Sequence, residues 1–177
     1  MELTDVKIFD KIYLHKTKGD FSVAYDYHEA MKLANQLCFP LYAAARNVTG
    51  LYTPWLKPLG LTYTQYIVLL VLWEKDGISV SEIGEKLMLD NGTLSPLLKK
   101  LEQAGYLTRQ RSGEDERVVV ITLTEAGKAL QERAKDIPLK AAGCIDLPPE
   151  KARTLYALLY ELLDNRKNKT TEGENKP

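Results

Sequence analysis

No apolar run in the 177-residue chain is longer than the seven residues Ile67–Trp73, far short of the roughly 20 that a membrane-spanning helix requires. The N-terminus, MELTDVKIFDKIYLHK, also lacks the continuous apolar core of a secretory signal, so a cytoplasmic protein is expected. Cysteine is scarce. Cys38 and Cys144 are too few and too far apart for a disulfide scaffold or a zinc site, though they suffice for one redox pair. His15 and His28 have no partners at metal-ligand spacing, so neither a metal nor another cofactor is expected. Neither sign of charge dominates, since 24 Lys and Arg face 24 Asp and Glu. That balance argues against a protein coated in nucleic acid and leaves room for a locally basic face.

What is present is one ordinary domain with loose ends. Residues 1–30 show no sustained periodicity and read as an arm of unknown role. Residues 165–177 (NRKNKTTEGENKP) contain no apolar side chain, cannot offset the entropy of ordering, and are expected to be a disordered tail. Between them, from Met31 to about Trp55, Cys38, Leu41, Tyr42, Ala45, Val48, Thr49 and Tyr52 fall on one helix face. Pro40 is expected to bend that helix just past Cys38. Thr62 with Gln65, and Ser79 with Glu82, are S/T-x-x-E/Q capping boxes flanked by the apolar staples Leu61/Tyr66 and Ile78/Ile83. They open two helices, to about Lys75 and about Met88.

Asp90, Asn91 and Gly92 are expected to form a turn before a helix over Thr93–Gln103 with Leu94, Leu97, Leu98 and Leu101 inward; Pro96 suits only a helix's first turn. Gly105 marks the helix end. YLTRQR, then SGEDE, then RVVVITL give two strands around an acidic turn. Thr124 caps a helix to about Ala142, and Pro148 and Pro149 open a last one to Asp164. The fold class is therefore mainly α with a small β-hairpin: two short helices joined by a tight turn and followed by a hairpin, a winged helix-turn-helix.

Such a unit places a short helix in the major groove of DNA. Asn91, Thr93 and Ser95 are positioned to reach base edges, while Lys99, Lys100, Arg109 and Arg111 face only one carboxylate, Glu102, between Leu97 and Arg111. At the hairpin tip Arg117 follows three acids, a placement that fits Asp115 bracing Arg117 as it enters a narrow minor groove. The same acids have no pocket to desolvate them, so no catalytic site is expected. Helix-helix-hairpin units also serve as protein-binding modules, and the residues alone leave that alternative open.

The stretches NQLCFPLYAAAR, LTYTQYIVLLVLWE, IGEKLMLDNGTLSPLLKKLEQAGYLTRQRSGEDERVVVITLTEAG and KDIP resemble the MarR family of winged-helix regulators, in particular its organic-hydroperoxide-sensing OhrR-type branch. The DERxV wing is general to the family, whereas LCF-x-LY is specific to the thiol-sensing branch. The resemblance implies a homodimeric repressor bound to a palindromic double-stranded operator. Its parts would be a first dimerisation and sensor helix (31–62), the winged unit (63–124) and C-terminal dimerisation helices (125–164). It implies that Asp90–Ser95, Lys99 and Lys100 lie on the recognition helix, and that Asp115 and Arg117 match the wing aspartate and minor-groove arginine.

By the same resemblance Cys38 matches the sensing cysteine, and Tyr42, Tyr52 and Tyr63 match tyrosines around it, the last two being the pair that hydrogen-bonds the sulfur. Hydroxyls donating to a sulfur favour its charged, nucleophilic form, and apolar walls favour an organic hydroperoxide over hydrogen peroxide. Cys144 lies near the position of a resolving cysteine in two-cysteine members; without that role, Cys38 would end in a mixed disulfide with a small thiol. Competing expectations are a repressor gated by a phenolic or amphipathic ligand, a thiol-based stress or virulence regulator, and a thiol peroxidase. The last has no use for a basic winged unit and lacks the alternating β-α pattern of a thioredoxin-like fold.

Overall fold

The computed structural model describes residues 27–113 and 115–173, so most of the expected N-terminal arm, Glu114 at the hairpin tip and the last four residues lie outside the described residues. The chain falls into two compact units that divide between Ile137 and Pro138.

In the first unit a short helix α1 (Tyr27–Ala30) and a 3-10 turn (Leu33–Asn35) precede α2 (Cys38–Leu51), then α3 (Thr53–Leu56) and a second 3-10 turn (Lys57–Leu59). The long helix expected from Met31 thus begins only at Cys38. Pro40 does not bend it: as the third residue of α2 it occupies a first turn, where backbone N–H groups have no intrahelical acceptor and a missing donor costs nothing.

Helix α4 (Tyr63–Glu74) starts at the expected box. Gln65 N–H donates to Thr62 Oγ1 at 3.3 Å, and Thr62 N–H donates to Gln65 Oε1 at 2.9 Å. Helix α5 (Val80–Leu87) repeats the device with Ser79 and Glu82 at 3.1 and 2.9 Å. The staple residues Leu61, Tyr66, Ile78 and Ile83 are all buried in one core. Between the two helices lies a strand that the sequence did not reveal, β1 (Ile78–Ser79). Two residues are too few to show a period, and only the pairing of Ile78 with Ile121 and of Ser79 with Val120 defines it.

The turn after α5 differs from expectation. Asp90 is the N-cap of α6 (Asn91–Gln103), its Oδ1 accepting the Thr93 N–H at 2.8 Å, so Asn91 and Gly92 belong to the helix. The left-handed turn residue is Met88, at φ 54°. Gly84 makes this tight corner possible, because a Cβ there would stand 2.8 Å from the Leu89 carbonyl oxygen. Pro96 is the sixth residue of α6 and leaves Gly92 C=O without its α-helical donor. The helix persists because Leu94, Leu98 and Leu101 are completely buried, each contributing about 2 kcal/mol. It ends as expected at Gly105, with φ 77°. Gly105 N–H bonds Glu102 C=O and Tyr106 N–H bonds Leu101 C=O, a Schellman closure.

Strands β2 (Leu107–Arg111) and β3 (Val119–Leu123) form the hairpin, and the antiparallel sheet has the order β1-β3-β2. Helix α7 (Glu125–Ala134) is capped by Thr124 as expected but stops eight residues short of the expected limit near Ala142, and it buries Leu130 and Ala134.

Helix α8 (Ile137–Ala142) crosses the division between the units, and the second unit contains α9 (Pro149–Gly173). Helix α9 runs nine residues past the expected limit at Asp164, into the segment read as a tail. Once a helix is nucleated, polar residues such as Asn165–Lys169 extend it at little cost even without an apolar face.

Candidate nucleic-acid interface and sensor cysteine

The first turn of α6 presents Asn91, Thr93 and Ser95 to solvent, while Leu94 points inward. Both hydroxyls already serve the helix: Thr93 Oγ1 donates to Asp90 Oδ2 at 3.1 Å, and Ser95 Oγ donates to Asn91 C=O at 2.7 Å. Hydrogen bonds from the Thr93 backbone and side chain hold the Asp90 carboxyl below its usual range, so Asp90 is an ionised cap that fixes the helix start. Lys99 and Lys100 are exposed farther along the same helix.

The four cations read from the sequence are not equivalent. Arg109 is held by Glu102, with Nε 3.1 Å from Oε2 and the Arg109 N–H donating to Oε1 at 3.2 Å. This pair ties β2 to α6 and neutralises one charge of the basic face. Arg111 closes the base of the wing, its Nη1 donating to Glu116 C=O at 3.1 Å. Asp115 braces Arg117, but through the backbone: Arg117 N–H donates to Asp115 Oδ1 at 2.9 Å, and Arg117 is exposed. Ser112 N–H to Val118 C=O and Val118 N–H to Asp115 C=O complete the turn.

Cys38 is an exposed free thiol at the first position of α2. No residue of α2 is buried, and Leu37, Phe39, Tyr42 and Val48 are exposed apolar groups along it. Tyr42 lies one turn on, its hydroxyl accepting from Arg46 Nη1 at 3.2 Å. Tyr52 is the C-cap of α2, and its ring meets that of Tyr63 at 5.1 Å between centroids, edge to face. The chain therefore brings Tyr52 and Tyr63 together, yet among the described residues no hydrogen bond joins Cys38 to Tyr42, Tyr52 or Tyr63.

Burial, and secondarily Tyr52, raise the Tyr63 hydroxyl above its ordinary value, so it remains a protonated donor. Sequence reasoning assigned Tyr66 only to a staple and gave Trp73 no role. Tyr66 sits between the rings of Tyr52 and Trp73, at 6.0 and 6.2 Å. The Trp73 indole N–H then donates to Gly127 C=O at 3.0 Å, at the start of α7. The i, i+3, i+10 spacing of Tyr63, Tyr66 and Trp73, one face of α4, was the available signal.

In the second unit Cys144 is an exposed free thiol in the loop between α8 and α9, its N–H bonded to Ala141 C=O at 3.1 Å. Among the described residues there is no cluster able to hold a metal ion and no helix long and apolar enough to cross a membrane.

Residues 50–134 match the family model described as transcriptional regulator SarA/Rot. The organic hydroperoxide resistance transcriptional regulator of Bacillus subtilis is 51% identical over 134 residues, covering 76% of this chain and 91% of the relative. The chain belongs to the MarR family of winged-helix transcriptional regulators. The family comprises regulators, not enzymes.

Two solved structures of AbfR, a protein of Staphylococcus epidermidis, are similar to this regulator and differ in redox state. Reduced AbfR bound to DNA is 39% identical with a TM-score of 0.65, over 78% of this chain and 97% of that one. Disulfide-formed AbfR is 39% identical with a TM-score of 0.54, over 77% and 96%. The fold expected from the residues, mainly helical with a small winged sheet, is thereby established.

Proposed function

We propose that the protein is a cytoplasmic homodimeric repressor that holds a palindromic operator while Cys38 is reduced and releases it when an organic hydroperoxide oxidises that thiol. The observation that carries this reading is the position of Cys38. It is an exposed free thiol at the head of a helix with no buried residue, in a chain 51% identical to a relative named for organic hydroperoxide resistance.

Two faces fit self-association. Helix α2 exposes Phe39, Tyr42 and Val48, and α9 exposes Leu155, Tyr156, Leu158, Leu159, Tyr160, Leu162 and Leu163, far more apolar side chain than a soluble monomer ordinarily leaves contiguous. The donors that the sulfur lacks within one chain are then supplied in the dimer, with Tyr52 and Tyr63 as an already assembled pair. On DNA, Asn91, Thr93 and Ser95 read base edges, Lys99, Lys100 and Arg111 neutralise phosphate, and Arg117 enters the minor groove. Asp90 and Asp115 brace these groups, and Arg109 contributes less because Glu102 holds it.

Oxidation converts the thiol to a sulfenic acid, which condenses either with Cys144 of a second subunit or with a small thiol. The added atoms beside the tyrosines shift the winged units relative to one another, and the operator dissociates. The test uses the full-length protein and an operator duplex that it selects from a random pool. Stoichiometric cumene hydroperoxide is expected to release the wild type, with a Cys38 adduct or disulfide seen by non-reducing electrophoresis and mass spectrometry, and to leave Cys38→Ser bound. Release of Cys38→Ser by the peroxide would sink the sensor reading and favour a ligand-gated repressor.

A further inference from the structure

Carboxylates are missing from the part of the chain that surrounds the sensor. Residues 30–73 contain Lys32, Arg46 and Lys57 but no Asp or Glu, and Arg46 is the only charged residue of α2. It is exposed, and no ion pair joins it to any carboxylate among the described residues.

Arg46 lies two helical turns beyond Cys38 on an adjoining face. Cys38, Tyr42 and Arg46 follow at four-residue steps that drift by about 40° each, about 80° in all, with roughly 12 Å of helix rise between the first and the last. The guanidinium leans back along the helix: Nη1 donates to the Tyr42 hydroxyl at 3.2 Å, and the ζ carbon lies 5.6 Å from the centre of the Tyr42 ring. Tyr42 thus holds the cation on the cysteine side while occupying one N–H, leaving the others for the two-oxygen fork of a carboxylate. The exposed side chains of Leu37, Phe39 and Tyr42 make the surrounding surface apolar. A nucleophilic sulfur, an apolar stripe and an oriented, acid-free cation in that order match a molecule with a peroxide at one place, an alkyl chain between, and an anion at the far end.

We propose that Arg46 is a specificity-determining residue that binds the carboxylate of a long-chain acid hydroperoxide while the peroxide group meets Cys38. The proposal rests on Cys38 being the sensor and names the substrate class of that site. In the reaction the thiolate sulfur forms a bond to the terminal peroxide oxygen as the O–O bond breaks. The leaving alkoxide takes a proton from solvent, giving a sulfenic acid and a hydroxy acid. The carboxylate is unchanged, so Arg46 raises productive occupancy and leaves the nucleophile as it was.

The experiment compares a fatty-acid hydroperoxide, its methyl ester and cumene hydroperoxide, each below its micelle concentration, as oxidants of the full-length dimer, reading Cys38 thiol loss by mass spectrometry. Wild type is expected to react about fivefold faster with the free acid than with the ester, the size of one partly exposed ion pair, with the advantage shrinking in high salt. Arg46→Gln should abolish the ratio while leaving the cumene hydroperoxide rate unchanged, and Arg46→Lys should restore part of it. No acid preference in the wild type, or the same preference in Arg46→Gln, overturns the proposal. A parallel loss with all three oxidants also overturns it, placing Arg46 in thiol activation or the dimer contact. Failure of all three to oxidise Cys38 in the wild type would instead defeat the sensor reading itself.

Discussion

Helices α6 and α2 have nearly equal lengths, 13 and 14 residues, and opposite fates within the chain. Helix α6 buries Leu94, Leu98 and Leu101 completely, starts at a side-chain cap and ends in a Schellman closure. Helix α2 buries nothing and has no side-chain cap. Helix α6 is therefore finished by its own chain, whereas the helix that carries the thiol keeps its apolar side free for something else. A regulator needs both conditions: a rigid reader, and a sensor whose packing is completed elsewhere and is open to change.

The sharpest way to probe this contrast is through two glycines. At Gly127, behind the winged unit, a Cβ would fall 2.0 Å from the Tyr106 carbonyl oxygen. Gly127→Ala should therefore cost about 3 kcal/mol or more in a urea or thermal melt, because backbone and not a flexible side chain must move. At Gly50 in α2 nothing lies within 4 Å, and Gly50→Ala should instead add up to about 1 kcal/mol through helix propensity. Comparable losses at both positions would mean that α2 is as tightly built as the reader.

A second probe concerns what completes α2. Phe39→Glu places a charge on its exposed apolar side and is expected to weaken self-association at least tenfold by sedimentation, about 1.4 kcal/mol or more. The winged unit should stay folded. A dimer unaffected by the charge would confine association to other surfaces such as α9.

On the reader, Arg117→Ala should weaken operator binding and lower the salt slope by about one unit, as the loss of one groove-inserted cation predicts. Arg109→Ala should change the slope less, since Glu102 already compensates that charge. Equal slopes for the two variants would show that the ion pair opens on DNA.

The smallest effect is electrostatic. Asp90 and Glu82 are held below their ordinary values of 3.8 and 4.5, chiefly by hydrogen bonds from the Thr93 and Ser79 backbones. Their contribution is fully present above those ordinary values and is lost as pH falls through the lower folded values. Stability from urea melts should decline between about pH 4.5 and 2, and the decline should be shallower in Asp90→Asn. An identical profile in that variant would remove Asp90 from the acid response.

The residues that sequence alone determined are those whose cause is local. The capping boxes at Thr62 and Ser79, the Thr124 cap and the Gly105 stop all appear where composition and spacing placed them, because each is satisfied within a few residues of its own position. The helix-helix-hairpin order followed from the same local signals, and the resemblance that singles out Cys38 rests on the LCF-x-LY segment. Tertiary structure decided the rest. Strand β1 exists only through its pairing with β3, and Pro40 and Pro96 changed meaning once the helix starts were fixed by Leu37 and Asp90.

Four cations looked interchangeable in the sequence, yet Glu102, seven residues away on another element, engages Arg109 and leaves Lys99 and Lys100 exposed. The three tyrosines were grouped with Cys38 by motif. Folding pairs Tyr52 with Tyr63, adds Tyr66 and Trp73, and leaves the sulfur without a hydrogen bond to Tyr42, Tyr52 or Tyr63. Local spacing can specify a cap or a helix face, since the atoms that satisfy it travel together along the chain. Partner choice among distant charges and rings is set by which surfaces the core brings into contact.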